Sequence, residues 1–275
     1  MCTISPETVC VAAVACVMIS AAISDIRSRE VSDLHWAAIC LIGTSMCMFR
    51  FESIYSVVVG FAGCSLLAVH MLSERVVGSK AVAVISLSGL CSLTLYLMGE
   101  GPWALVTPTM YSVFLSMYVL GIIRGGADAK ALMSMSIASP FYTGSEILWH
   151  SSGIQGLLFN PPFMVLFVAL SASLFSTICV LYRSVGSGNP SLTRYRMSLD
   201  EAERSFVWPM EDYVDGKVVR VDGIPPENAP VYDRLRMNGV RDVEVTPMVP
   251  FVLPLAVSYI TVMVLGDPMV LFLGQ

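Results

Sequence analysis

The sequence predicts an all-α fold: a polytopic membrane helix bundle of about eight spans, N-terminus outside, with a polar cytoplasmic insertion before the last span. Three observations lead there. The chain of 275 residues is 55% hydrophobic and only 13% charged, against roughly 25% charge in soluble domains. Its apolar residues are gathered into segments of about span length. Its basic residues fall almost wholly on one side of the topology those segments define.

Seven strongly apolar segments cover 8–24, 34–49, 54–72, 81–98, 103–123, 162–182 and 248–266. The first has no basic stretch before it and leads straight into Asp25, so it reads as a retained helix rather than a cleaved signal peptide. Several segments lie near the lower limit of about 17 residues for a span, so their flanks must enter the interface. An eighth, weaker segment covers 128–141 and is rich in Ala, Ser and Met. Such small residues suit close helix–helix packing rather than lipid contact, and Pro140 ends it. The domain plan is then 1–182 as the bundle carrying both aspartates, 183–247 as the insertion and 248–275 as the last transmembrane helix.

Charge tests this plan independently. With eight crossings and the N-terminus outside, the inner loops hold fifteen of the sixteen Lys and Arg residues. Arg50 alone falls outside, among Glu7, Glu52, Glu100, Glu146 and Asp267. Without the large insertion the division is still six to one, as the positive-inside rule requires. Trp36, Trp103 and Trp149 fall near span ends and read as interfacial anchors. Four crossings separate Asp25 from Asp128, so both are expected at the cytoplasmic face, and Asp267 at the other.

Within 183–247, Ser198-Leu199-Asp200-Glu201 fits a capping box opening a short helix toward Phe206. Val214-Asp215-Gly216-Lys217-Val218 reads as a hairpin turn, and Pro225-Pro226 and Pro230 interrupt the stretch beyond it. The net charge of −5 says little about nucleic acid, but with no basic run and no basic domain no nucleic-acid partner is expected. The eight cysteines form no C-x-x-C pair and, Cys2 apart, lie in apolar segments. They read as packing residues rather than a zinc or disulfide framework. His35, His70 and His150 have no second ligand at useful spacing and read as packed or interfacial.

Two aspartates stand out, because a carboxylate at the edge of a span is costly and marks a functional site by default. Asp25 sits in Ser24-Asp25-Ile26-Arg27-Ser28-Arg29-Glu30, at a helix C-terminal end, where the helix dipole disfavours it. Asp128 follows Gly125-Gly126-Ala127 and precedes Lys130, at a helix start, where the dipole favours it. Two carboxylates at hydrogen-bond range share one proton. The ionised member can deprotonate water while the protonated one donates to a scissile carbonyl. That chemistry needs no cofactor and no metal.

These two motifs resemble those of the archaeal preflagellin (archaellin) and type IV prepilin peptidases, membrane aspartyl proteases of the GxGD type. Asp25-Ile26-Arg27-Ser28-Arg29-Glu30-Val31 is similar to the first-aspartate motif, and Gly125-Gly126-Ala127-Asp128-Ala129-Lys130 to the second. Asn160-Pro161-Pro162-Phe163 and the Pro-bearing run Val245–Pro254 before the last span also fit. The resemblance implies a membrane aspartyl endopeptidase with Asp25 and Asp128 catalytic, supported by Gly125, Gly126, Ala127 and Lys130. It implies substrates of the preflagellin or prepilin-like kind, whose apolar N-terminal helix lies in the bilayer while a short basic leader is removed. Glu30 and Asp33 would receive the leader's basic residue. The archaeal family is usually six-spanning, so a hairpin has been added within 34–123, and Val31-Ser32 stands where relatives often have Ile-Pro. The inner loops lack the cysteine pairs common in the bacterial branch. Two other readings stay open: a presenilin- or signal-peptide-peptidase-like intramembrane protease, and a transporter or channel using the membrane-edge acids. Ser24 rather than Tyr precedes Asp25, unlike the former, and no inverted repeat is visible to support the latter.

Overall fold

A computed structural model describes residues 5–73, 78–123, 125–144, 146–149, 153–186, 194–221, 229–248 and 251–273. Cys2, Arg75, Arg124, His150, Pro225, Pro226, Val249 and Pro250 lie outside the described residues, as do the side chains of Cys179 and Arg183. The chain divides into two compact units, 1–170 with 250–275, and 171–249.

The first unit is helical, and each apolar segment forms a helix. Helix α1 is Pro6–Ser28, started by the Ser5 cap and by proline at its first position. Ser32 caps α2, Asp33–Ser45, which the one-turn α3, Cys47–Arg50, follows. Ser53 caps α4, Ile54–Leu72. Helix α5, Ser79–Leu95, ends in a wide turn at Tyr96–Glu100. Then come α6, Val106–Val119, α7, Gly126–Ala138, the short α8, Gly153–Leu158, and α9, Pro161–Gly186, of which this unit holds the part up to Leu170. Among the described residues, three helices are long and apolar enough to cross a membrane: Pro6–Ser28, Ile54–Leu72 and Lys80–Glu100. Helices α2, α6 and α7 have 13 or 14 residues, shorter than a full span.

Helix α7 is the centre of this unit. It packs against α2, α4, α6 and α12, which is Val252–Leu265. Every residue from Ala131 to Ala138 is buried, as its small side chains predict. The hydroxyls of Ser134 and Ser136 donate to Ala131 O and Leu132 O within the helix, which satisfies them in an apolar setting. On α2, a Cβ at Gly43 would lie 2.5 Å from Ala138 Cα, so only glycine lets α2 approach so closely. At the other end of α7, Ser139 and Tyr259 share a 2.8 Å hydrogen bond that ties it to α12. Large apolar side chains such as Leu41, Tyr55, Val69 and Leu97 face outward, as in a protein surrounded by lipid. Trp36 corrects the expectation of an interfacial anchor: it is wholly buried in the core. Trp103 is exposed, and Trp149 bridges to Gly266.

The second unit corrects the all-α expectation. Strands β1, Tyr195–Ser198, and β2, Val207–Pro209, flank β5, Asp242–Pro247, in an antiparallel sheet. Strands β3, Glu211–Val214, and β4, Lys217–Arg220, form a hairpin. Its turn, Asp215-Gly216, has positive φ at both residues, the two-residue geometry read from the sequence. Ser198 caps α10, Leu199–Arg204, by accepting from the Glu201 amide. Helix α11 is Ala229–Met237. Buried side chains such as Leu199, Val207, Tyr232, Leu235 and Val243 make a core separate from that of the bundle. Strands arise here because apolar residues alternate along β5, where Val243 and Val245 are buried.

Candidate active site

Asp25 lies in the last turn of α1 and is buried. The chain around it is held by local hydrogen bonds. Arg29 adopts the left-handed conformation (φ 58°) and its amide donates to Asp25 O at 3.0 Å, closing the helix. The Ser24 hydroxyl donates to Glu30 O at 2.8 Å, and the Ser28 hydroxyl lies 3.0 Å from Ser24 O and 3.2 Å from Glu30 O. The serines of the motif therefore fold the backbone just beyond Asp25. The positive charge of Arg29 is within electrostatic range of the Asp25 carboxylate.

The carboxylate has a further partner that no motif indicated. The amide of Val252, the first residue of α12, donates to Asp25 Oδ2 at 3.3 Å. Asp25 thus leaves the unfavourable end of its own helix by facing the favourable end of another, where unpaired amides and the dipole attract negative charge. A backbone donor leaves no residue-type signature. The one available signal was the Pro-bearing run before the last span.

Asp128 stands in the first turn of α7, the end at which the dipole favours an acid. Its carboxylate folds back over Gly125: a Cβ built there would collide with Asp128 Oδ2 and lie 2.8 Å from Cγ. At Gly126 a Cβ would meet only the Tyr118 hydroxyl, at 3.8 Å. Ala127 is half-buried and packs against the bundle core. The Asp25 charge acts on Asp128, so the fold brings the two aspartates of the two motifs into electrostatic range of each other.

The other sequence-predicted residues divide. Lys130 donates to both oxygens of Asp33, at 2.7 and 2.8 Å, joining the first turns of α7 and α2. Asp33 is therefore half of an ion pair. The Glu30 side chain is exposed, and the residue enters the turn through its carbonyl. His35, half-buried, bonds Ser32 O through Nδ1 and Ser20 through Nε2, and the buried His70 bonds Tyr111. Asp267 lies just past the far end of α12 and accepts from the Met269 amide. That is about 20 Å from Val252 at the helical rise.

Mostly helical, with outward apolar faces and three helices long and apolar enough to cross a membrane, this is a membrane protein, and its two motif aspartates make a candidate acid/base site. No protein-family model matches the chain. Its sequence is, however, similar to that of the preflagellin peptidase of Methanococcus voltae, 26% identical over 265 residues, or 91% of this chain and 92% of that protein. The resemblance carried by the two aspartate motifs is borne out at this level and extends over nearly the whole chain.

Proposed function

We propose that this chain is a membrane aspartyl endopeptidase that removes the short basic leader of preflagellins or type IV prepilin-like proteins at the cytoplasmic face. What supports this reading is that Asp25 lies within electrostatic range of Asp128, on a chain similar along its length to a preflagellin peptidase. The bundle crosses the membrane eight times, and the asymmetry of basic residues supports the orientation. The two carboxylates share a proton. The ionised one takes a proton from water as that water attacks the scissile carbonyl, and the protonated one donates to the developing oxyanion. The Val252 amide, a donor to Asp25, favours Asp25 as the ionised partner. The substrate's apolar helix lies in the bilayer, and its leader meets the acids at the membrane edge.

The test is cleavage of a preflagellin in membranes carrying the protein. Asp25→Asn and Asp128→Asn are each expected to abolish cleavage, and Asp267→Asn to retain it. Full activity in either of the first two variants would remove the dyad.

A further inference from the structure

Apart from the aspartates, the feature of the first unit that points to chemistry is a pair of thiols. Cys47 opens α3 and Cys64 lies in the middle of α4. The Cys47 thiol points at Cys64 Sγ, 3.9 Å away, which is van der Waals contact. Both line a cavity of about 280 Å³ walled in part by Gly60, Gly63, Ser88 and Arg50. Cys47 is buried and Cys64 half-buried, and the small residues on that wall leave the space of the cavity beside them. Arg50 and Cys91 line the same cavity. Among the described residues, though, no group of three His, Cys, Asp or Glu is placed to hold a metal ion, so the arrangement is that of a two-thiol couple.

We propose that Cys47 and Cys64 form a redox couple that closes to a disulfide by exchange with a small-molecule disulfide entering this cavity. One cysteine thiolate attacks the reagent, forming a mixed disulfide and releasing the first reagent thiolate. The second cysteine thiolate attacks the protein sulfur of that mixed disulfide, forming the Cys47–Cys64 bond and releasing the second. The two cysteines lose two protons and two electrons, and one reagent disulfide becomes two thiols. The product would staple α3 to α4 beside Arg50, whose guanidinium bonds the last carbonyl of α7.

The experiment treats the purified full-length protein with oxidised glutathione, alkylates remaining thiols, and maps peptides without reduction. The expected result is a linked Cys47–Cys64 peptide that dithiothreitol removes, and its persistence in Cys91→Ser. Cys64→Ser should give no linked peptide, with Cys47 either alkylated or carrying one glutathione. Alkylation of both Cys47 and Cys64 in the treated wild-type protein overturns the proposal. So does a glutathione adduct that never closes, or pairing of either residue with Cys91.

Discussion

Gly125 and Gly126 are neighbours of identical chemistry, yet the structure gives them different duties. Gly125 is glycine because the Asp128 carboxylate occupies the space a side chain would need, whereas the space at Gly126 is open. Gly125→Ala should therefore displace Asp128 and lower leader cleavage at least 100-fold, an order of magnitude typical of misplacing a reacting group by about 1 Å. Gly126→Ala should stay within about threefold of wild type in the same assay; equal losses in both would refute the distinction. Arg50 is equally specific. Its Nη2 donates to Ala138 O at 2.6 Å, and its guanidinium carbon sits 4.9 Å from the centre of the Phe141 ring. A cation at the C-terminal end of the buried α7 complements the helix dipole. This explains why the one basic residue that breaks the charge asymmetry is tolerated. Arg50→Met should destabilise the protein by about 2 kcal/mol, visible as a lower unfolding temperature in detergent. Both aspartates were legible in the sequence because acids at span ends are costly and conspicuous. The Val252 amide was not, since every residue but proline carries one. The burial of Trp36 was not either, since an indole suits an interface and a core alike.

At the scale of elements, the first turns of α2 and α7 are joined by Lys130 and Asp33, two residues after Asp128 and eight after Asp25. The sequence suggested Asp33 as a receiver of a basic leader, and the structure gives it a lysine. These alternatives separate in a charge swap. Lys130→Asp alone should lower cleavage several-fold, and Asp33→Lys with Lys130→Asp should restore most of it if the pair serves to hold α7 in place. A double variant as poor as, or worse than, the single ones would favour leader binding by Asp33. The helices themselves were legible from apolar runs, and the interior character of α7 from its small residues. Their ends were less so. Helix α1 runs four residues past the apolar segment, to Ser28, because the Ser24 and Ser28 hydroxyls and the Arg29 turn close it; apolarity does not report such bonds.

At the scale of the whole molecule, two cores of different physics share one chain. The bundle is held by packing of small and apolar side chains; the unit 171–249 adds a lattice of ion pairs to its small core. Arg234 bonds Asp212 through two nitrogens, Arg220 bonds Glu244, Arg196 bonds Glu211, and Arg236 bonds Asp200 and Glu203. The hydrogen bond from Arg234 holds the Asp212 carboxyl below its ordinary range. A carboxyl whose folded value is depressed stabilises the fold fully above its ordinary range, and that contribution is lost as pH falls through the depressed value. Acid should thus loosen this unit before the bundle, and Asp212→Asn should remove that part of the pH dependence. Hydrogen exchange on the full-length protein, compared at neutral and acid pH, checks both; uniform loss of protection in the two units would count against it. The capping box and hairpin of this unit were legible, because turn chemistry is local. The sheet was not, since β1 and β2 pair with a β5 that lies far along the chain, as in Tyr195 with Val245 and Val207 with Pro247.

The bond between Asp25 and Val252 joins residues 227 positions apart. Translation proceeds in one direction, so an emerging chain carries both aspartates long before it carries the amide that steadies the first of them. Asp25 reaches its finished surroundings only when α12 takes its place beside α1. In the peptidase proposed above, the order of synthesis would leave the surroundings of the first acid unfinished until the last helix is made.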